Sequence, residues 1–125
     1  MDIFGIYLSL SILLITLLAM NISRLRIRER VANGDGENKI LIKAIRAHMN
    51  SLEHILPFSM LAFLLQSHLD STSLFALLCF GFLTIRALHS YSMLSSSFRL
   101  RQITAGLTYF VEVTACFLLL YSSII

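Results

Sequence analysis

Arg46, Asn50, Glu53 and Pro57 stand four, three and four residues apart in the run Arg46-Ala-His-Met-Asn-Ser-Leu-Glu-His-Ile-Leu-Pro57. On a helix that spacing lines them along one narrow face. The surrounding segment is otherwise long and apolar enough to cross a bilayer. A cation, an amide and an anion at membrane depth are costly unless they serve one another or a polar ligand. Pro57 sharpens the point. It has no N–H, so the Glu53 carbonyl loses its helical partner and must meet another donor or line a wet cavity.

Other polar residues join this stripe at one end of the chain's apolar segments. They are Arg24 and Arg26 after the first segment, His48 and His54 beside the stripe, Arg86, His89 and Tyr91 late in the third, and Arg99 and Arg101 before the fourth. Arginines outnumber carboxylates in this set, so an anionic ligand is the simplest missing partner. The guanidinium fork gives a carboxylate two parallel hydrogen bonds. Glu53 is the exception and suits an ammonium. A small zwitterion with excess carboxylate fits both halves. A structural alternative stays open: Arg46 and Glu53 are about two turns apart, strained for an intrahelical bridge but well placed to pair across helices or subunits. His48, Glu53 and His89 match no recognised metal-ligand spacing, so no metal is expected.

Four apolar stretches must position these groups: Ile3–Ile22, Ile40–Leu65, Ser73–Leu94 and Thr104–Ile125. Each reaches or exceeds the roughly 20 helical residues that span about 30 Å of hydrocarbon. No period-two alternation supports strands. The expected fold class is therefore all-α, an integral membrane four-helix bundle of up-down topology. A single domain over residues 1–125 is expected, with helices at about 3–31, 39–67, 72–95 and 102–125. A chain of 125 residues, 57% hydrophobic and 14% charged, leaves no room for a separate soluble module.

All ten Lys and Arg fall within residues 24–46 and 86–101, and the 66–73 connection has none. The positive-inside rule sets both basic turns in the cytoplasm and both termini on the opposite side. No basic run is interleaved with aromatics, so no nucleic-acid partner is expected. Asp2 precedes the first apolar core and Arg24, Arg26, Arg28 and Arg30 follow it, the pattern of a retained helix rather than a cleavable signal. Arg28 and Arg30 suit anionic membrane lipids. Asn33-Gly-Asp-Gly36 reads as a turn, and Cys79 and Cys116 read as packing residues. His54 and His68 read as interface or solvent-facing. Thr104, Thr108 and Glu112 share a helix face with Arg101. Glu112 lies eleven residues past Arg101, about 16 Å deeper. It is expected to be protonated or hydrogen-bonded to a neighbouring helix.

The pattern Arg46-Ala-His-x-Asn50-x-x-Glu53-x-x-x-Pro57-Phe58 resembles the signature of the MAPEG family, the membrane-associated proteins in eicosanoid and glutathione metabolism. So do Ser23-Arg24-Leu25-Arg26 with the Ala32-Asn33 loop, and Arg86-Ala-x-His89 before a basic turn. The short loops look most like the bacterial inner-membrane branch, similar to microsomal glutathione S-transferase. The resemblance implies a homotrimer with glutathione as co-substrate in clefts between neighbours. It also implies conjugation of the glutathione thiolate to lipophilic electrophiles, or reduction of lipid peroxides. By the same resemblance, Arg46, Asn50 and Glu53 hold the tripeptide, Arg24 reaches it from a neighbouring subunit, and Arg86, His89 and Tyr91 complete its binding set. Arg101 stabilises the thiolate, with Arg99 as the rival because the alignment needs a one-residue gap. Met49 stands where the family often has arginine, and Met93 where it has tyrosine. Two other readings are a non-catalytic scaffold for a lipid or anionic metabolite, and a small channel or transporter subunit. The channel needs a polar stripe across the whole membrane, whereas Leu56–Leu65 is almost wholly apolar.

Overall fold

The helices start where short side chains take up their free N–H groups. In the computed structural model, which describes residues 2–124, α1 spans Ile3–Glu29, α2 Lys39–Leu65, α3 Thr72–Leu94 and α4 Phe98–Ile124. Asp2 Oδ1 accepts from Gly5 N at 2.8 Å, and Asn38 Oδ1 accepts from Ile40 N and Leu41 N at 2.9 and 3.1 Å. These are N-caps of the ordinary kind. Asn38 Nδ2 also donates to Glu29 Oε2 at 3.0 Å, so the capping residue ties the ends of α1 and α2 together. Gly34 and Gly36 take the positive φ angles (68° and 57°) that the turn between them needs.

Three boundaries differ from the sequence expectation by two residues or more, one of them the end of α2 at Leu65 rather than 67. α1 stops at Glu29, because Arg30 adopts a left-handed conformation that closes the helix. α4 begins at Phe98 rather than 102, because the Ser97 carbonyl already accepts from Arg101 N at 3.0 Å. Arg99 and Arg101 therefore belong to the first turn of a helix rather than to a loop.

Consecutive helices run antiparallel, as cross-links at matched heights require. Tyr7 Oη meets Ser59 Oγ at 3.1 Å, Ser51 Oγ meets Ser90 Oγ at 2.8 Å, and His89 Nδ1 meets Thr104 Oγ1 at 2.8 Å. α2 and α3 form the centre, and the backbones of α1 and α4 do not approach each other closely among the described residues. One end is packed with apolar side chains, including Tyr7, Phe58, Cys79 and Phe82. Phe58 and Phe82 stack with ring centroids 3.8 Å apart. Cys79 is buried there as expected, while Cys116 is exposed on α4.

Hydroxyls elsewhere bond back to their own helix. Ser59, Thr104 and Thr108 each donate to the carbonyl four residues earlier, at 2.7–2.8 Å, and Ser51 and Ser90 lie 2.8 and 2.9 Å from theirs, one of the pair donating to the other instead. That is how short polar side chains are satisfied at membrane depth.

α1, α3 and α4 are long and apolar enough to cross a membrane. α2, at 27 residues, is as long as α1 and α4 and longer than α3, about 40 Å at 1.5 Å per residue. Its first half carries Lys39, Lys43, Arg46, His48, Asn50 and Glu53, so the fourth expected span does not qualify on composition alone. The outward faces of α1 and α4 are apolar: Leu13, Leu17, Phe110 and Phe117 are exposed, as lipid-facing residues should be. Phe58→Ala is expected to lower stability by about 3–5 kcal/mol through cavity formation. Leu56→Ala, on the exposed face, should change it by about 0.5 kcal/mol. Unfolding in mixed detergent micelles distinguishes the two.

Candidate functional site

The first turn of α4 is the natural starting point, because its leading N–H groups have no helical acceptors and carry the positive end of the helix dipole. A cavity of about 240 Å³ opens against that turn, lined by Ser96, Ser97, Phe98 and Arg101 together with Lys43 and Arg46 of α2. Three cations line it and no carboxylate does. Lys43 Nζ donates to Ser96 Oγ, which holds α2 against the α3–α4 turn. Fixed N–H groups beside guanidinium forks form a site for an anion such as a carboxylate or a thiolate.

Arg99 and Arg101 are separated by the helix itself. Two residues correspond to about 200° of rotation, so Arg99 lies outside this cavity while Arg101 lines it. Lys43 is the residue that sequence reasoning missed. Its signal was available: it precedes Arg46 by three and shares its face.

Deeper in the bundle the polar groups close on one another. Arg86 is 1% exposed. Its Nη2 donates to Asn50 Oδ1 at 2.7 Å and to the Asn50 carbonyl at 3.0 Å, and its Nη1 donates to Thr108 Oγ1 at 3.2 Å. The guanidinium expected to meet a ligand directly is thus committed to fixing Asn50. His89 is 4% exposed and bonded to Thr104. Glu112 meets the expectation of a partner on another helix: its Oε1 lies 2.8 Å from His54 Nδ1. His54, read from sequence as an interface or solvent residue, instead joins α2 to α4. That pairing was invisible without knowing which helices touch.

The stripe on α2 divides at Asn50, which turns inward and is half-buried, while Arg46 and Glu53 are exposed. No ion pair among the described residues joins Arg46 to Glu53. Below Glu53 the same outer surface continues as exposed Leu56, Met60 and Phe63, so the polar stripe of α2 does not run on along its outer face. Tyr91 is 63% exposed on the outer side of α3, outside both the cation-lined cavity and the inner polar layer. Arg24 bonds to Asn21 Oδ1 at 3.0 Å and lines a separate groove with Arg28 and Lys43. Met93 is buried against Leu18 and Ala47, and Met49 is exposed. His48, Glu53 and His89 form no metal-ligand group among the described residues.

The sequence profile of the MAPEG family matches residues 4–121. No curated protein and no solved structure matches the chain.

Proposed function

The chain belongs to the MAPEG family, and on that premise we propose that this integral membrane protein is a glutathione transferase. It conjugates the glutathione thiolate to lipophilic electrophiles or reduces lipid peroxides. The observation that carries the reading is the cavity in which Lys43, Arg46 and Arg101 converge at the N-terminus of α4 with no carboxylate among them.

Glutathione brings two carboxylates, an ammonium and a thiol. Lys43 and Arg46 neutralise carboxylate charge. Asn50, held by Arg86, offers a fixed amide. Glu53 faces the γ-glutamyl ammonium. A free thiol is mostly protonated at neutral pH and the thiolate is the nucleophile. Arg101 favours the thiolate by charge, and the adjacent N–H groups of α4 add to that field. The electrophile enters from the bilayer along the apolar outer faces, and holding the two reactants together supplies much of the rate.

A homotrimer fits this role. The cavity of one chain, about 240 Å³, falls below the roughly 300–1,000 Å³ usual for ligand sites, so a neighbour is needed to close it. Arg24 is the residue the neighbour contributes. Assembly also covers Arg46 and Glu53, which would otherwise face lipid at high cost. The basic turns at this end suit the cytoplasmic side of a bacterial inner membrane, with both termini opposite.

Met49, apolar and 45% exposed where the family often has arginine, favours a second reading, a non-catalytic scaffold for an anionic metabolite or lipid. Turnover separates the two. Purified protein in detergent with glutathione and an apolar aryl halide is expected to form conjugate well above the protein-free rate. Conjugation at the protein-free rate, with glutathione saturating, would rule out the transferase.

A further inference from the structure

Behind Arg101 lies a smaller chamber of about 100 Å³, lined by Asn50, His54, Arg86, His89, Arg101 and Tyr109 among others. It lies apart from the cation-lined cavity, and Arg101 borders both. Two imidazoles line it, each tied at Nδ1: His89 Nδ1 lies 2.8 Å from Thr104 Oγ1, and His54 Nδ1 lies 2.8 Å from Glu112 Oε1. A neutral imidazole that donates through Nδ1 to a carboxylate keeps Nε2 as an acceptor.

Arg86 supplies a second, independent sign. Its Nε is buried with no hydrogen-bond partner among the described residues, and water is the simplest acceptor for it. The volume admits several waters at about 30 Å³ each.

The rings differ in what stands behind them. His89 has a hydroxyl, while His54 has a carboxylate that can hold an imidazolium as an ion pair. The Tyr109 ring, 5.7 Å from the His54 ring, adds a π-face within reach of that cation. Arg86 and His89 from α3 and Arg101 from α4 also line the chamber and oppose a second positive charge, which Glu112 offsets. α1 contributes nothing to the lining.

We propose that His54, held by Glu112, receives the proton that leaves the glutathione thiol. The proposal rests on the glutathione reading above. The S–H bond breaks, the proton passes through chamber water to His54 Nε2, and sulfur keeps the electron pair. The thiolate then forms a bond to the carbon of an electrophile R–X as the C–X bond breaks. X leaves with the bond's electron pair, and His54 returns its proton to solvent, so glutathione plus R–X gives conjugate plus HX.

Two measurements test this. Calorimetric glutathione titration in buffers of different ionisation enthalpy counts the protons released to bulk. Stopped-flow ultraviolet absorbance follows thiolate formation. Wild type is expected to release clearly less than one proton per thiolate formed. His54→Gln and Glu112→Gln are each expected to slow thiolate formation about 100-fold, with glutathione affinity unchanged. Any thiolate that His54→Gln does form should release its full proton to buffer. Wild type releasing a full proton per thiolate would overturn the proposal, and this test needs no variant to fold. Variants forming thiolate at the wild-type rate would overturn it too. In both cases, glutathione binding would leave the parent reading standing. Absence of glutathione binding by wild type would remove both.

Discussion

Arg101→Ala is expected to lower kcat/KM for conjugation by about 100- to 1,000-fold, some 2.7–4 kcal/mol of stabilisation lost from developing negative charge. Stability should hardly change. Arg101 is exposed, its side chain has no hydrogen-bond partner among the described residues, and its part in the fold is the backbone bond to Ser97, which alanine keeps. Arg99→Ala should act close to wild type, because Arg99 stands on the other side of the same helical turn. Steady-state kinetics beside detergent unfolding curves check both halves of the expectation. Loss of fold and activity together in Arg101→Ala would make Arg101 structural.

Arg86→Met is expected to do the opposite first. The guanidinium makes three hydrogen bonds inside the bundle, and hydrogen bonds to charged groups contribute about 1.5–3 kcal/mol each. Methionine fills the volume but leaves the Asn50 side-chain oxygen without its donor and removes the extra bond to the Asn50 carbonyl, so a loss on the order of 3 kcal/mol is expected. Arg86→Lys should recover only part of it. A single ammonium keeps the charge without the planar fork that spans Asn50 and Thr108. In variants that still fold, glutathione affinity should drop as well, because Asn50 is no longer held. Unfolding curves with matched glutathione titrations read out the order of effects. An Arg86→Met protein as stable as wild type would show that the buried bonds contribute little.

The contrast between these two arginines shows where sequence reasoning reached and where it stopped. Helical spacing, turn glycines and the placement of basic residues sufficed for four helices and for one polar end, while the choice of Arg101 beside Arg46 came from the family resemblance. The helices and the polar end are local or periodic properties, so they can be read along the chain. Whether Arg86 meets a ligand or Asn50 depends on which face of α3 packs against α2, and the short period-3.6 pattern around Arg86 and His89 does not say. His54 and Glu112 are 58 residues apart, and only the α2–α4 packing brings them together. The start of α4 at Phe98 lies outside the apolar pattern, which begins only at Thr104. That shift of a few residues puts Arg101 on a helix end rather than in a turn, and it sets the N-terminus of α4 against the cavity. Met49 and Met93 were visible as departures from the family pattern. Their consequences separate only in three dimensions, since Met93 packs the interior and Met49 faces outward.

The account depends on Lys43, Arg46 and Arg101 acting as a socket for the carboxylates and thiolate of glutathione. Calorimetric titration of the purified protein with glutathione, for wild type and Arg46→Gln at low and high salt, tests it most directly. Saturable binding that weakens with salt is expected, with Arg46→Gln about tenfold weaker or more, as loss of a charge-assisted hydrogen bond of about 1.5–3 kcal/mol requires. Absence of binding, or an affinity indifferent to both salt and Arg46→Gln, would contradict it.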